Sequence, residues 1–295
     1  MKWQGRRKSS NVKKGGSGKG GMAISGGGAI VLLIIYLLFG KLPADIGPVD
    51  PAPAEESQPS QNQEVFIDPK DQEGQVIYEQ YANERDLEDF LSVVLADTET
   101  YWGEIFSQYG RTYKEPSLYL YSDTTNTGCG MASSNVGPFY CPSDEGIYID
   151  LSFYKDLKAN YGAEGDFALA YVLAHEVGHH VQKQLGVLDQ VYDLQGQMSE
   201  EDFNKYLVRL ELQADYLAGV FAHYTQENGY LEEGDFQEAM NAAAGVGDDR
   251  IQEKAWGRVI PDKFTHGTSQ QRMTWFNRGY EYGDLDHGDT FSGEI

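Results

Sequence analysis

Cysteine and positive charge are both scarce in this 295-residue chain, and each scarcity excludes something. Two cysteines, Cys129 and Cys141, allow at most one disulfide, and only on the oxidising side of a membrane. The 23 basic residues are outnumbered by 46 acidic ones, and seven of them (Lys2, Arg6, Arg7, Lys8, Lys13, Lys14, Lys19) precede residue 20. From Lys41 onward 16 basic residues face all 46 acidic ones, a formal net charge of −30. Such a surface repels phosphate, so the main domain is not expected to bind nucleic acid. No internal repeat is apparent, which argues against a solenoid.

One long apolar run is present. Met22–Gly40, "MAISGGGAIVLLIIYLLFG", is uncharged and about the length of a bilayer-spanning helix. Seven cations precede it and no acidic residue appears before Asp45. The positive-inside rule then puts the N-terminus in the cytoplasm and everything after the run outside. A cleaved signal peptide is the rival, but no small-x-small site follows Leu38. The expectation is a single-pass membrane protein: a basic cytoplasmic segment 1–21, a transmembrane helix 22–40, an extended Pro- and Gln-rich linker 41–74, a folded domain 75–283 and a frayed acidic tail 284–295.

Within the domain, apolar residues at helical spacing from Leu87 to Phe106 predict a long helix ending at Gly110. "SLYLYS" (117–122) and "GIYIDLSFY" (146–154) read as strands, and the stretch between the cysteines as a loop. Asp166 is placed to cap a helix that Gly186 ends, and Ser199 to cap another running to about Glu227. Shorter helices start from Asp235 and Asp248. Thr268 and Gln271 have capping-box spacing before a last one. The class is α+β, mostly helical with a small sheet.

The chemistry sits in "LAYVLAHEVGHHVQKQLG", 169–186. Residues four apart in a helix share a face, so His175 and His179 can aim two imidazoles at one point. Glu176 follows the first, giving the H-E-x-x-H arrangement of zinc hydrolases. Neutral imidazoles suit zinc, and the carboxylate can take a proton from water. Gln182 and Leu185 stand where the metzincin extension needs Gly and His, so that type is excluded. The third ligand is sought in "RLELQADYLAG", 209–219, where Glu211 and Asp215 are again four apart. Glu211 is read as the ligand and Asp215 as the carboxylate that orients a ligand histidine. Small and apolar neighbours (Ala214, Leu217, Ala218, Gly219) favour burial over a solvated acidic face. His180 is expected beside the site or exposed.

The blocks "CGMASSNVGPFYCPSDEGIYIDLSFY", "AYVLAHEVGHHVQ", "RLELQADYLAGVFA" and "THGTSQQRMTWF" occur in the order seen in the neutral zinc metallopeptidases. The chain resembles that family over about Tyr78–Tyr282. The resemblance implies a zincin-like fold, with the glutamate of E-x-x-x-D as third zinc ligand.

The expected function is a membrane-anchored zinc endopeptidase, one Zn2+ per chain, acting on protein or peptide substrates with Glu176 as general base. The strand Ile147–Leu151 is read either as the edge that holds an extended substrate or as an internal core strand. A non-catalytic, zinc-stabilised envelope protein that binds a partner is the alternative from another class, and a zinc amidase on cell-wall peptides is a third reading. Cys129 and Cys141 are expected to pair. His266, in the loop "KFTHGTS", is read either as a donor to the oxyanion of the reaction or as a structural histidine.

Overall fold

The computed structural model describes residues 1–14 and 84–295, so the apolar run 22–40 and the linker 41–74 lie outside the described residues. Among the described residues no helix is long and apolar enough to cross a membrane. The chain is mostly helical with a small sheet, as its α+β patterning implies.

Strand β1 (Val12–Lys14) comes first, then α1 (Glu84–Gln108), β2 (Ser117–Tyr121), β3 (Thr124–Thr127), β4 (Gly130–Ser133), β5 (Phe139–Cys141) and β6 (Gly146–Asp150). The remainder is helical: α2 (Phe153–Tyr161), α3 (Asp166–Leu185), α4 (Val187–Tyr192), α5 (Glu200–Glu227), α6 (Asp235–Gly245), α7 (Asp248–Trp256) and α8 (Ser269–Tyr282). One sheet has the order β1-β2-β6-β5, parallel except for β5, which runs antiparallel to β6; β3 and β4 form a separate hairpin. Strand β4, the second arm of that hairpin, and strand β5 therefore occupy the stretch between the cysteines that was expected to be a loop. Cys129 and Cys141 are bonded across it, with Cα atoms 5.8 Å apart. Beside the disulfide, Tyr148 stacks between Tyr119 and Phe139, one ring from each of three adjacent strands.

The strand read as a substrate edge or a core strand is internal. β6 lies between β2 and β5 and is buried at all five positions. Ile147 and Ile149 on one face and Tyr148 on the other are all buried, as in a strand covered on both faces. The edge on this side of the sheet is β5, which packs on α3.

Helix α3 is the centre of the fold, packed by α1, α5, α6 and the sheet, and buried on nearly every side as far as Gln182. Its start differs from expectation. Gly165 is the N-cap, Asp166 makes no cap, and Glu238 of α6 accepts from the Phe167 amide at 2.9 Å instead. The Asp166 carboxylate is taken by the amino group of Met1, at 2.6 and 2.8 Å. Ser199 and the Thr268–Gln271 capping box do start α5 and α8.

Two close approaches set the helices around the site. A Cβ on Gly178 of α3 would lie 3.1 Å from the Ala214 carbonyl oxygen of α5. Further along α5, a Cβ on Gly219 would lie 2.0 Å from the Phe276 oxygen, and one on Gly279 of α8 2.0 Å from the Tyr216 oxygen. The contact at Gly178 is tight, whereas the crossing at Gly219 and Gly279 admits no larger residue and draws α8 onto α5 near Asp215 and Arg272.

Both chain ends depart from the expected boundaries. Residues 1–14, read as the start of a separate cytoplasmic segment, pack on the domain: β1 pairs with β2, and Met1 and Trp3 are buried. The acidic tail does not fray. Thr290 is fully buried, its hydroxyl donates to the Arg209 carbonyl at 2.6 Å, and the Arg209 guanidinium donates to the Gly293 carbonyl at 3.0 Å.

Candidate metal centre

Helices α3 and α5 cross where Gly178 meets Ala214, and that crossing brings His175, His179 and Glu211 together. One ligand atom from each lies within 4.8 Å of the others. His175 Nε2 is 3.1 Å from Glu211 Oε2, and His179 Nε2 is 3.5 Å from Glu211 Oε1. A tetrahedral zinc with nitrogen and oxygen ligands at ~2.0–2.1 Å separates its donors by roughly 3.3–3.4 Å. The set fits that ion in donor type and in spacing.

Each histidine is held from behind. His175 Nδ1 is 2.9 Å from Asp215 Oδ1. The other, His179 Nδ1, donates to Gln182 Oε1 at 2.9 Å, while Gln182 Nε2 donates to the Leu210 carbonyl at 2.7 Å. Both Nε2 atoms are thereby turned toward Glu211. The tautomer that ligates through Nε2 is the one these partners select.

Asp215 is completely buried and carries a network. Arg272 of α8 grips it in two places, Nε to Oδ2 at 2.8 Å and Nη2 to Oδ1 at 2.9 Å, and Tyr171 donates its hydroxyl to Oδ1 at 2.6 Å. Burial would raise the Asp215 pKa, but Arg272 and His175 outweigh it and hold the carboxyl at about 2. Replacing Arg272 by Met leaves this carboxylate buried without its main countercharge. The expected loss is about 3–5 kcal/mol, the usual cost of breaking a buried pair on one side. Urea unfolding of the zinc-free protein measures it, and an unchanged midpoint would refute the role given to Arg272.

Glu176 is buried beside the pair; burial raises its pKa, and the charges of His175 and His179 pull the other way. Glu211 is held well below the usual carboxylate range because the charges of His179 and His266 and the hydrogen bonds from His175 and His179 overcome its desolvation. Burial alone would lower His175, yet Asp215 and the bond to Glu211 push it up to about 10. In the zinc-free protein a charged imidazole therefore bridges two carboxylates. Its folded pKa is above the unfolded value of ~6.5. The stabilisation it gives the zinc-free fold is fully present below ~6.5 and is lost as pH rises through about 10. A zinc ion bound through His175 would have to displace that proton, so apparent zinc affinity should rise about tenfold per pH unit between about pH 7 and 9. Competition against a chelator buffer measures the slope; a flat profile above about pH 7 would show His175 to be neutral beforehand.

His266 lies near enough for the Glu211 charge to raise its pKa against the effect of burial. Its Nδ1 is 2.9 Å from Thr265 Oγ1 and 3.4 Å from Asp248 Oδ1. Asp248, at the start of α7, also accepts from the amides of Thr265, His266 and Gly267 at 2.7, 2.6 and 3.0 Å, which fixes the loop. His180 points away: it is fully buried between the Lys114 carbonyl, 2.6 Å from Nε2, and the Tyr140 hydroxyl, 3.0 Å from Nδ1. It tethers α3 to β5 and the chain before β2. Tyr192 of α4 lies close enough for the Glu211 charge, after burial, to raise its phenol.

Arg272, Gln182, Asp248 and Tyr192 escape a reading of the sequence. Only Gln182 offered a signal, three residues after His179 on the same helix. A second group of acids, Asp166, Asp235 and Glu238, has metal-like spacing among the described residues. The Met1 amino group sits against Asp166 and, at 3.3 Å, Asp235.

Comparison with known proteins finds relatives and a family. Over its whole length the chain is 46% identical to all of "Uncharacterized protein YpfJ" of Escherichia coli strain K12. Over 61% of its length it is 47% identical to 64% of "Uncharacterized protein Rv2575" of Mycobacterium tuberculosis strain H37Rv. No solved structure matches. Residues 1–291 match the family described as "Putative neutral zinc metallopeptidase", which implies zinc, and the chain belongs to that family.

Proposed function

We propose that this protein is a zinc endopeptidase in which His175, His179 and Glu211 hold one Zn2+ and Glu176 is the general base. The observation that carries the reading is the convergence of two imidazole nitrogens and a carboxylate at the spacing of a tetrahedral ion, with a buried glutamate directly after the first histidine. When bound, zinc supplies Lewis acidity toward a carbonyl oxygen and toward water.

The chain's own residues do the rest. Asp215 and Gln182 fix the two imidazoles, and Arg272 fixes Asp215. Glu176, its pKa raised by burial, takes a proton from the attacking water and returns it to the leaving amine. His266, anchored through Nδ1 by the Thr265–Asp248 loop, donates from Nε2 to the oxyanion forming on the substrate. An extended peptide adds to the outer edge of β5, the strand that packs on the metal helix, by backbone hydrogen bonds.

Incubation with an unfolded, casein-like protein tests the reading. Cleavage should disappear on chelation and return with one equivalent of zinc. Absence of any cleavage by zinc-loaded protein, over an unfolded protein and a peptide library, would favour the partner-binding alternative.

A further inference from the structure

The basic arm at the start of the chain is a fitted part of the domain. Its strand β1 continues the sheet in parallel register with β2, Val12 opposite Leu118 and Lys14 opposite Leu120, so it covers an edge that would otherwise be open. The Ser9 amide donates to the Ser92 carbonyl of α1 at 2.9 Å, and the Lys2 amide to the Tyr230 carbonyl at 2.8 Å. Trp3 is buried edge-on against Phe90 at 5.9 Å.

The arm's cations are engaged in the same way. Arg6 pairs with Asp97 at 2.6 Å and lies 3.2 Å over the Tyr230 ring. Arg7 pairs with Glu99, Lys8 with Asp89 and Lys14 with Glu88, all on α1, at 3.2, 2.6 and 3.0 Å. Lys2 donates to the Gly229 carbonyl and Lys13 to the Ser117 hydroxyl. Glu99, only 4% exposed, also accepts from Ser9 and Asn11 of the arm.

A topogenic basic cluster needs only charge. This one has register, a buried tryptophan and a partner for each of its six described cations. The charges that make the sequence read as a cytoplasmic N-terminus are the charges the acidic domain uses to hold the arm. A helix crossing the bilayer once between arm and domain would put them on opposite sides and forbid every one of these contacts. We propose that residues 1–14 and the domain from Glu84 onward lie on the same side of any membrane the chain meets, docked as one body. The apolar run between them then does not separate them.

Paired labelling in intact bacterial cells with a permeabilised outer membrane tests this on the full chain. Ser10→Cys and Glu233→Cys, both at exposed positions, are made separately; the native Cys129 and Cys141 are buried and bonded, and the parent chain serves as blank. A membrane-impermeant maleimide should modify both introduced thiols or neither. Modification of one and protection of the other would overturn the proposal. On the same cells, a membrane-permeant carbodiimide should join Lys8 to Asp89 and Lys14 to Glu88, detected as linked peptides. Concordant labelling without either linkage would overturn the docking.

Discussion

Glu211→Ala is expected to lose bound zinc and cleavage together while remaining folded. The side chain supplies the oxygen facing both imidazoles, at 3.1 and 3.5 Å, and without it two nitrogens remain. Loss of a group that only orients a ligand weakens metal binding about 10–100-fold. Loss of a ligand should exceed that, leaving the dialysed protein essentially metal-free by elemental analysis. The fold should survive because Glu211 is at the margin of the site, 17% exposed, and because its partner His175 keeps Asp215. Stoichiometric zinc in the variant would remove Glu211 from the ligand set.

Glu176→Gln separates chemistry from binding. The amide keeps the shape of the side chain but cannot accept the proton of the attacking water. General base catalysis typically contributes 10²–10⁴-fold. Turnover should fall by about that much, or roughly 3–5 kcal/mol in the barrier. Zinc content should not change, since His175, His179 and Glu211 are untouched. A variant that cleaves at the parental rate with full zinc would mean the proton goes elsewhere. A variant that loses zinc would make Glu176 a ligand.

Much of this centre is legible in the sequence, for a geometric reason. His175 with His179, and Glu211 with Asp215, are i,i+4 pairs, and a helix places such residues on one face whatever surrounds it. The long helices were legible from their apolar spacing and from Ser199, Thr268 and Gln271, whereas the short α2 and α4 were not, and Phe153 and Tyr154, read as the end of a strand, begin α2. What stayed hidden depends on contacts between distant segments. Arg272 reads as one more charged residue in a helix, and only the Gly219–Gly279 crossing brings it to Asp215, 57 positions earlier. Asp248 reads as a helix start, yet it also ties down the loop that carries His266. Local alternation could not tell whether β6 was edge or centre, because strand order is set by which segments pair. The arm misled most. Its cations read as partners of the neighbouring apolar run, whereas in the fold Arg6, Arg7, Lys8 and Lys14 meet acids more than seventy residues away.

Zinc-edge X-ray absorption on the purified, zinc-loaded protein tests the central claim most directly. A centre built by His175, His179 and Glu211 should show imidazole scattering from two rings, a carboxylate oxygen, first-shell distances of ~2.0–2.1 Å and no sulfur. An all-oxygen shell would instead place the ion among Asp166, Asp235 and Glu238, and would contradict the account.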